Sequence, residues 1–392
     1  MLLALCLFAP VHAQSMPAPI PFPELEPITI ENASHLAQLP GELTGVTEGF
    51  DVSPDGKQVA VARPDGVYLY DMGSFETPAK IFEVSSADQV YGPQFSPDGQ
   101  TLAVNVIYRL PATEVTSDLP GSEFKSTVQL WDMQIGAVKT ELIGRLGLAS
   151  HPVFSPDGHY IAGKNSLSQT IQRPAEGYSE LQIWELNNSS SSEPRCCAED
   201  LSGRYGIGDI AFSPDSLILL WSIGEPDFAN GGYGIEIFWR IEYLPSILSD
   251  DSDLGVLTKI TSNNVDRIFL ASEAPFTPDV RDIEFSADGK WLATVGEYSK
   301  IWDVKTAEIH ATLPEGSQFL AFLLDDSIIV NNDPQQQLYV TNLDQTESAI
   351  LLEHFDQTQQ TILLNSNGTI LALHENDVII FYGVPAESKS TL

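Results

Sequence analysis

Phe95-Ser96-Pro97-Asp98-Gly99 is the stretch whose reading decides the architecture. Close copies stand at Val52–Gly56, at Phe154–Gly158, at Phe212–Asp215 followed by Ser216, and at Phe285–Gly289. Each copy sits between two short apolar runs, as in the following Thr101-Leu102-Ala103-Val104 and Trp291-Leu292-Ala293-Thr294. Proline presets φ, the aspartate bonds its own backbone, and glycine tolerates φ > 0, so the stretch reads as a hairpin turn. Its recurrence predicts an array of small β units, none able to bury a core alone.

The second half of each unit ends in an aromatic residue and an acid. The clear copies are Val128-Gln129-Leu130-Trp131-Asp132, Leu181-Gln182-Ile183-Trp184-Glu185 and Lys300-Ile301-Trp302-Asp303. Val67-Tyr68-Leu69-Tyr70-Asp71 and Ile235-Glu236-Ile237-Phe238-Trp239 are looser. Turn and tryptophan-acid pair together resemble the WD-repeat (WD40) β-propeller family, in which that pair ends the third strand of a four-stranded blade. The chain departs from the family in lacking its opening Gly-His pair, since Gly144 is followed by Arg145. It also resembles the looser propeller repeat found beside transport and peptidase domains, which shares the S-P-D-G turn; the three tryptophan-acid pairs favour the WD-repeat resemblance.

Five units are clear and two are degraded. The sixth runs through Phe322–Ser327, Ile328-Ile329-Val330 and Gln337–Val340, and the seventh through Leu364–Gly368, Ile370–Leu373 and Val378–Tyr382. The last unit is one strand short, while residues around Ile28–Leu39 have no unit of their own. The expectation is therefore an all-β, seven-bladed propeller of four-stranded antiparallel blades, its ring closed by the N-terminal segment, with eight blades as the alternative. Closure removes unpaired sheet edges. The propeller is expected over residues 28–384, with a C-terminal tail at 385–392.

The first residues suggest a compartment. Leu2–Val11 is apolar and too short to span a bilayer, and Val11-His12-Ala13 offers a small-residue cleavage pattern, so residues 1–13 resemble a secretory signal peptide cut before Gln14. No Lys or Arg precedes the apolar run, so either the chain starts further upstream or the segment is not an export signal. Residues 14–27, rich in proline, read as an extended spacer. The expected location is secreted or periplasmic. No internal run approaches the roughly 18 apolar residues of a membrane span, so no membrane insertion is expected.

Fifty-four acids face nineteen bases, a formal charge of −35. Such a surface repels phosphate backbones and argues against nucleic acid as a partner. Beyond the leader only Cys196 and Cys197 remain. Neighbouring Cα atoms lie about 3.8 Å apart, below the roughly 4.4 Å minimum of ordinary disulfides, so no disulfide framework is expected.

A search for chemistry yields no catalytic, cofactor-binding or metal-binding residues. There is no G-x-S-x-G elbow, no H-E-x-x-H helix and no phosphate loop. A sialidase-type aspartate box fails because glycine directly follows the aspartate. His35, His151, His159, His310, His354 and His374 are scattered; His151, ahead of a first strand, is the one placed to line a channel. The regular spacing of Asp55, Asp98, Asp157, Asp215 and Asp288 comes from the turn, and calcium needs several oxygens converging on one point. Asp250, Asp251 and Asp253 form a local acidic cluster with a better claim to a cation. Asn32, Asn188 and Asn367 stand in N-x-[ST] contexts.

Insertions point to where function sits. Ser53, Ser96, Ser155, Ser213 and Ser286 are spaced 43, 59, 58 and 73 residues apart, against about forty for a compact blade. The excess reads as Tyr108–Lys125, Ser166–Tyr178 and Gly224–Tyr233 between second and third strands, and Pro245–Asp279 between the fourth and fifth blades. Because strands alternate in direction, all four emerge on one face, opposite the S-P-D-G turns. The resulting expectation is a monomeric, non-enzymatic scaffold without cofactor, holding a protein or peptide partner on the long-loop face of blades two to five. The alternative is an enzyme, or a ligand- or ion-binding module, with its site at the central channel.

Overall fold

The S-P-D-G turns close hairpins by a shared hydrogen-bond pattern centred on the serine. Ser96 Oγ donates to Asp98 Oδ1 (2.6 Å) and accepts from Thr101 N–H (2.9 Å), while Gly99 N–H donates to the Ser96 carbonyl (2.8 Å). Asp98 Oδ1 also accepts from Gln100 N–H at 3.0 Å. The same set recurs at Ser53, Ser155 and Ser286. In the last unit Asn365 Oδ1 takes over the serine's role, accepting from Ile370 N–H at 2.8 Å. Gly99 sits at φ 68°, and where glycine is replaced by Ser216 the backbone still holds φ 60°. An L side chain is strained there, but Ser216 Oγ accepts Asp157 N–H from the preceding unit at 3.0 Å.

The computed structural model describes residues 22–386 except 47, 85–86, 112, 114–123, 144–147, 167–178, 187–195, 200–205, 217, 225–232, 241–281, 296–298, 307, 333–335, 354 and 356–359. Two strands precede the first turn, β1 (Leu25–Glu26) and β2 (Ala37–Thr44). Blade 1 follows as β3 (Phe50–Val52), β4 (Gln58–Arg63), β5 (Gly66–Asp71) and β6 (Lys80–Glu83). Blade 2 is β7 (Gln89–Phe95), β8 (Thr101–Arg109), β9 (Phe124–Asp132) and β10 (Ala137–Ile143). Blade 3 is β11 (Leu148–Phe154), β12 (Tyr160–Ser166), β13 (Ser179–Glu185) and β14 (Cys196–Glu199). A fourth sheet contains β15 (Gly206–Phe212), β16 (Ile218–Gly224) and β17 (Tyr233–Arg240). Blade 5 is β18 (Asp282–Phe285), β19 (Trp291–Val295), β20 (Lys300–Asp303) and β21 (Glu308–Thr312). Blade 6 is β22 (Ser317–Phe322), β23 (Ile328–Asn332), β24 (Gln337–Thr341) and β25 (Ser348–Glu353). The closing blade holds β26 (Gln360–Leu364), β27 (Ile370–Glu375) and β28 (Val378–Pro385), with β2 and β1 both paired to β28.

Every pairing is antiparallel; six sheets keep chain order from inner to outer strand, and in the closing blade β26, β27 and β28 are followed outward by the N-terminal β2 and β1, which is a β-propeller arrangement. The expectation of seven four-stranded blades is corrected: six sheets have four or more described strands, and the β15–β17 sheet has three. The chain following Arg240, where a fourth strand would fall, lies outside the described residues. No eighth sheet occurs among the described residues. The N-terminal segment does join the last blade, but through two strands on either side of most of Ile28–Leu39. β2 pairs Ala37 with Gly383 and Thr44 with Val378, and β1, inside the expected spacer, pairs Leu25 with Pro385. Ile28 and Ala33 are buried between blade 6 and the closing blade instead of adding a strand.

Hydrophobic layers lie between the blades. Leu43, Val52, Val59, Tyr70 and Phe381 join the closing blade to blade 1. Phe82, Phe95, Leu102 and Trp131 join blades 1 and 2. Leu130, Phe154 and Trp184 join blades 2 and 3. Trp291, Phe319 and Phe322 join blades 5 and 6. Trp131-Asp132 and Trp302-Asp303 end third strands, and their aspartates cap the next turn: Asp303 Oδ1 accepts from Lys305 and Thr306 N–H at 3.0 and 2.8 Å. Among the described residues no helix is long and apolar enough to cross a membrane.

Replacing Ser286 by alanine leaves the buried Trp291 N–H without its side-chain acceptor, and is expected to destabilise the chain by about 1–3 kcal/mol. Ser216→Gly relieves the φ strain but removes the acceptor for Asp157 N–H, so it is expected to fall within about 1 kcal/mol of wild type. Denaturant unfolding of both variants checks the pair.

Candidate functional site

The inner strands β3, β7, β11, β15, β18, β22 and β26 each have a sheet neighbour on one side only and present the other edge to the axis of the ring. Their axis-side N–H groups need acceptors from elsewhere. Three acidic side chains supply them, each reaching to the next sheet. Asp51 Oδ2 accepts Phe95 N–H (2.8 Å), Asp209 Oδ2 accepts Ile283 N–H (3.1 Å) and Glu284 Oε1 accepts Phe322 N–H (3.2 Å). Asp51 and Glu284 occupy equivalent positions, two residues before the turn serine; Asp209 and Asp282 stand four before theirs.

These carboxyls titrate far from the ordinary carboxylate range. Surrounding protein raises Asp51 to about 7, against the pull of the Phe95 and Val52 N–H groups. Burial raises Glu284 to about 8; the Phe322 N–H opposes this, and the charges of Asp282 and Asp209 add to it. Asp209 is pushed well up, first by burial and then by Asp282, with which it shares a hydrogen bond. Asp51, Asp209 and Glu284 all keep partial solvent exposure, so they are enclosed by the ring without being sealed from water. A protonated carboxyl beside an ionised one is able to exchange protons. Here the same groups also satisfy backbone donors, and that accounts for their placement.

Beside Glu284, on the turn side of the ring, lies a cavity of about 340 Å³ bounded by blades 5 and 6 and the closing blade. Phe285, Leu320, Phe322, Leu324 and Leu364 give it apolar walls, Asn365 and Ser366 line it as neutral polar residues, and Glu284 is the one ionisable lining residue among those described.

The residues weighed from sequence fall elsewhere. Asp55, Asp98, Asp157, Asp215 and Asp288 are each bonded within their own turns. Partial burial pushes Asp55, Asp98 and Asp157 up, but the serine hydroxyl and neighbouring N–H groups outweigh it and hold all three below the usual range. Among the described residues no three His, Cys, Asp or Glu groups are arranged to hold a metal ion. His151 lies within the inner strand β11 and not ahead of it. His159 is bonded to Asp157 (2.9 Å), His310 lies against Trp291 with ring centroids 4.4 Å apart, and His374 meets Phe50 edge-on. His35 ends a short helical turn, Ala33–His35. Asn32 bonds Thr29 N–H and the Pro27 carbonyl, and Asn367 bonds Thr369 within the last turn. Cys196 and Cys197 are consecutive residues of β14. Asp250, Asp251, Asp253, Asn188, His354, residues 1–21 and 387–392, and the 245–279 insertion lie outside the described residues.

The three shorter insertions leave from the positions expected, between second and third strands of neighbouring sheets: β8 to β9, β12 to β13 and β16 to β17. The first begins later than Tyr108. Tyr108 pairs with Lys125 and Arg109 with Phe124, and Gln129 Nε2 donates to the Tyr108 hydroxyl (2.8 Å), so both ends of that insertion are ladder. The acidic inner-strand positions are the residues that sequence reasoning missed. Their signal was available as an acid two or four residues before a turn serine.

No family model matches the chain, and no curated protein matches it.

The carboxyls imply a definite pH dependence. Between ordinary values of 3.8 and 4.5 and folded values of about 7 and 8, Asp51 and Glu284 hold protons in the folded chain that the unfolded chain has released. Their contribution is complete at low pH and is lost as pH rises through 7 to 8. The turn aspartates, held low, act in the opposite sense and lose theirs only as pH falls below the usual carboxylate range. Thermal unfolding is therefore expected to be highest near about pH 4–5 and to decline by several degrees towards alkaline pH. Asp51→Asn with Glu284→Gln should flatten that decline. An unchanged slope would assign it to general self-repulsion of the acidic surface.

Proposed function

We propose that this chain is a WD-repeat-type propeller that acts without catalysis as an extracytoplasmic scaffold, holding a protein or peptide partner on the face opposite its S-P-D-G turns. The observation that carries the reading is the common direction of the insertions. Connections 110–123, 167–178 and 225–232 join second to third strands in adjacent sheets, so they emerge side by side on one rim. Repeat proteins bind through such grouped loops, positioned by a rigid frame. Export is supported by the apolar stretch Leu2–Val11 and the small-residue pattern ending at Ala13.

The antiparallel pair Arg109↔Phe124 offers a clean test. Replacing 110–123 by an Asn-Gly turn should close the hairpin without disturbing the ladder. Wild-type chain is used to capture partners from an extracytoplasmic fraction, and the recovered partner is then titrated against both forms. The expected outcome is unchanged thermal unfolding with binding weakened at least tenfold. Equal affinity in a shortened chain that unfolds normally, repeated with 167–178 and 225–232 shortened, would remove the long-loop face as the binding surface.

A further inference from the structure

The cavity beside Glu284 opens between turns, on the side of the ring away from the insertions. We propose that it is a binding site for a small organic monocation with an apolar body, a primary alkyl- or arylalkylamine, its ammonium on the Glu284 carboxylate and its hydrocarbon part against Phe322, Leu324 and Leu364. This site is separate from the long-loop face and does not rest on the scaffold reading.

Four observations carry it. A volume of about 340 Å³ is within the range of small-molecule sites, which are mostly apolar with few polar groups fixing orientation. Phe285 and Phe322 are buried, while the apolar Leu324 keeps 49% of its surface exposed at the mouth. Glu284 is oriented by Phe322 N–H through Oε1, and its second oxygen makes no hydrogen bond among the described residues. Finally, the local potential is negative. Asp282 on the same strand and Asp209 on β15 both act on Glu284, and among the described residues no Lys, Arg or His lines the cavity. The nearby Lys290 is held over the Trp291 ring, 4.4 Å from its centroid.

The charge arrangement selects among ligands. An anion would meet three carboxyls and a chain of formal charge −35. A hard divalent cation needs several converging oxygens, and the lining provides one carboxylate, with Asn365 and Ser366 as its other polar side chains among the described residues. A monocation with an apolar tail satisfies both parts of the wall. It must also displace the proton that burial keeps on Glu284 up to about pH 8, so binding releases a proton below that pH. Affinity then rises about tenfold per pH unit until Glu284 is ionised. The groups facing Glu284 are Asp282, Asp209 and the Phe322 N–H; among the described residues β22 and the closing blade contribute no ionisable lining residue.

The test is calorimetric titration of the full chain with 2-phenylethylamine, using 2-phenylethanol as neutral and phenylacetate as anionic comparator, from pH 6 to pH 9 in buffers of differing ionisation enthalpy. The expected result is amine binding at least tenfold tighter than the alcohol, no binding of phenylacetate, proton release at pH 7, and strengthening from pH 6 to pH 8. Glu284→Gln keeps an acceptor for Phe322 N–H and should weaken amine binding at least tenfold. Leu324→Lys, at an exposed turn position, should weaken it comparably and gives a second reading if the Glu284→Gln variant unfolds early. Absence of amine binding, equal binding of amine and alcohol, or undiminished binding in Leu324→Lys would each overturn the proposal.

Discussion

The innermost strand of a blade has a hydrogen-bonding neighbour on one side only, and the remaining structure has to satisfy the donors on its other edge. In an open sheet water would do this. Within a ring of blades water is partly excluded, and an unmet N–H costs about 1–3 kcal/mol. Asp51, Asp209 and Glu284 answer the problem by lending carboxyl oxygens to the inner strand of the next sheet. The consequence is electrostatic. The oxygen that satisfies a backbone donor is itself desolvated, and its proton becomes harder to lose. Asp209, Asp282 and Glu284 then crowd one sector of the axis, where Asp282 raises Asp209 further and both raise Glu284. A structural demand thus produces ionisable groups poised near neutral pH.

Closing the ring is the matching demand at the outer edge. β28 would be left with a bare edge if the chain used only its C-terminal strands, and a bare edge invites association with other chains. β2 covers it over Ala37–Thr44, β1 covers the far end, and Ile28 N–H donates to the Gly368 carbonyl (2.8 Å) between them. The apolar layers on both sides of this blade contain buried residues from the two ends of the chain, Leu39 and Leu43 with Ile379 and Phe381 on one side, and Ile28 with Leu371 and Val384 on the other. Separating the termini would open both layers at once, which makes the closing blade cooperative with its neighbours.

What was legible in the sequence was local. The S-P-D-G turn encodes its geometry within six residues, because Ser96 meets Asp98, Gly99 and Thr101 and nothing distant. The tryptophan-acid pair is equally local, its acid capping the turn that follows. Closure by the N-terminal segment was legible from a missing strand, but its position was not. Residues 28–36 alternate less clearly than Ala37–Thr44, and their burial is decided by blade 6, some three hundred residues away in the chain. The acidic inner-strand residues were illegible for the same reason. Asp51 finds its partner 44 residues on and Asp209 finds its partner 74 residues on, so each reads from sequence as one more acid among fifty-four.

The two rims of the ring therefore follow different constraints. On the rim of second-to-third-strand connections, the ladder tolerates any length, because the strands are already paired before the chain leaves them; Arg109↔Phe124 ends one such ladder. Loop-closure entropy grows only slowly with length, so this rim can accumulate sequence and carry variable contacts. On the turn rim, length is fixed by the serine-centred bonds, and a residue lacking glycine's freedom, such as Ser216, is retained at φ 60° where its hydroxyl bonds the neighbouring sheet. Chemistry on that rim has to come from side chains already in the frame. Around Glu284 the frame provides a carboxyl, apolar walls and a fixed cavity, so recognition there depends on rigid complementarity, whereas the opposite rim depends on what its long connections present.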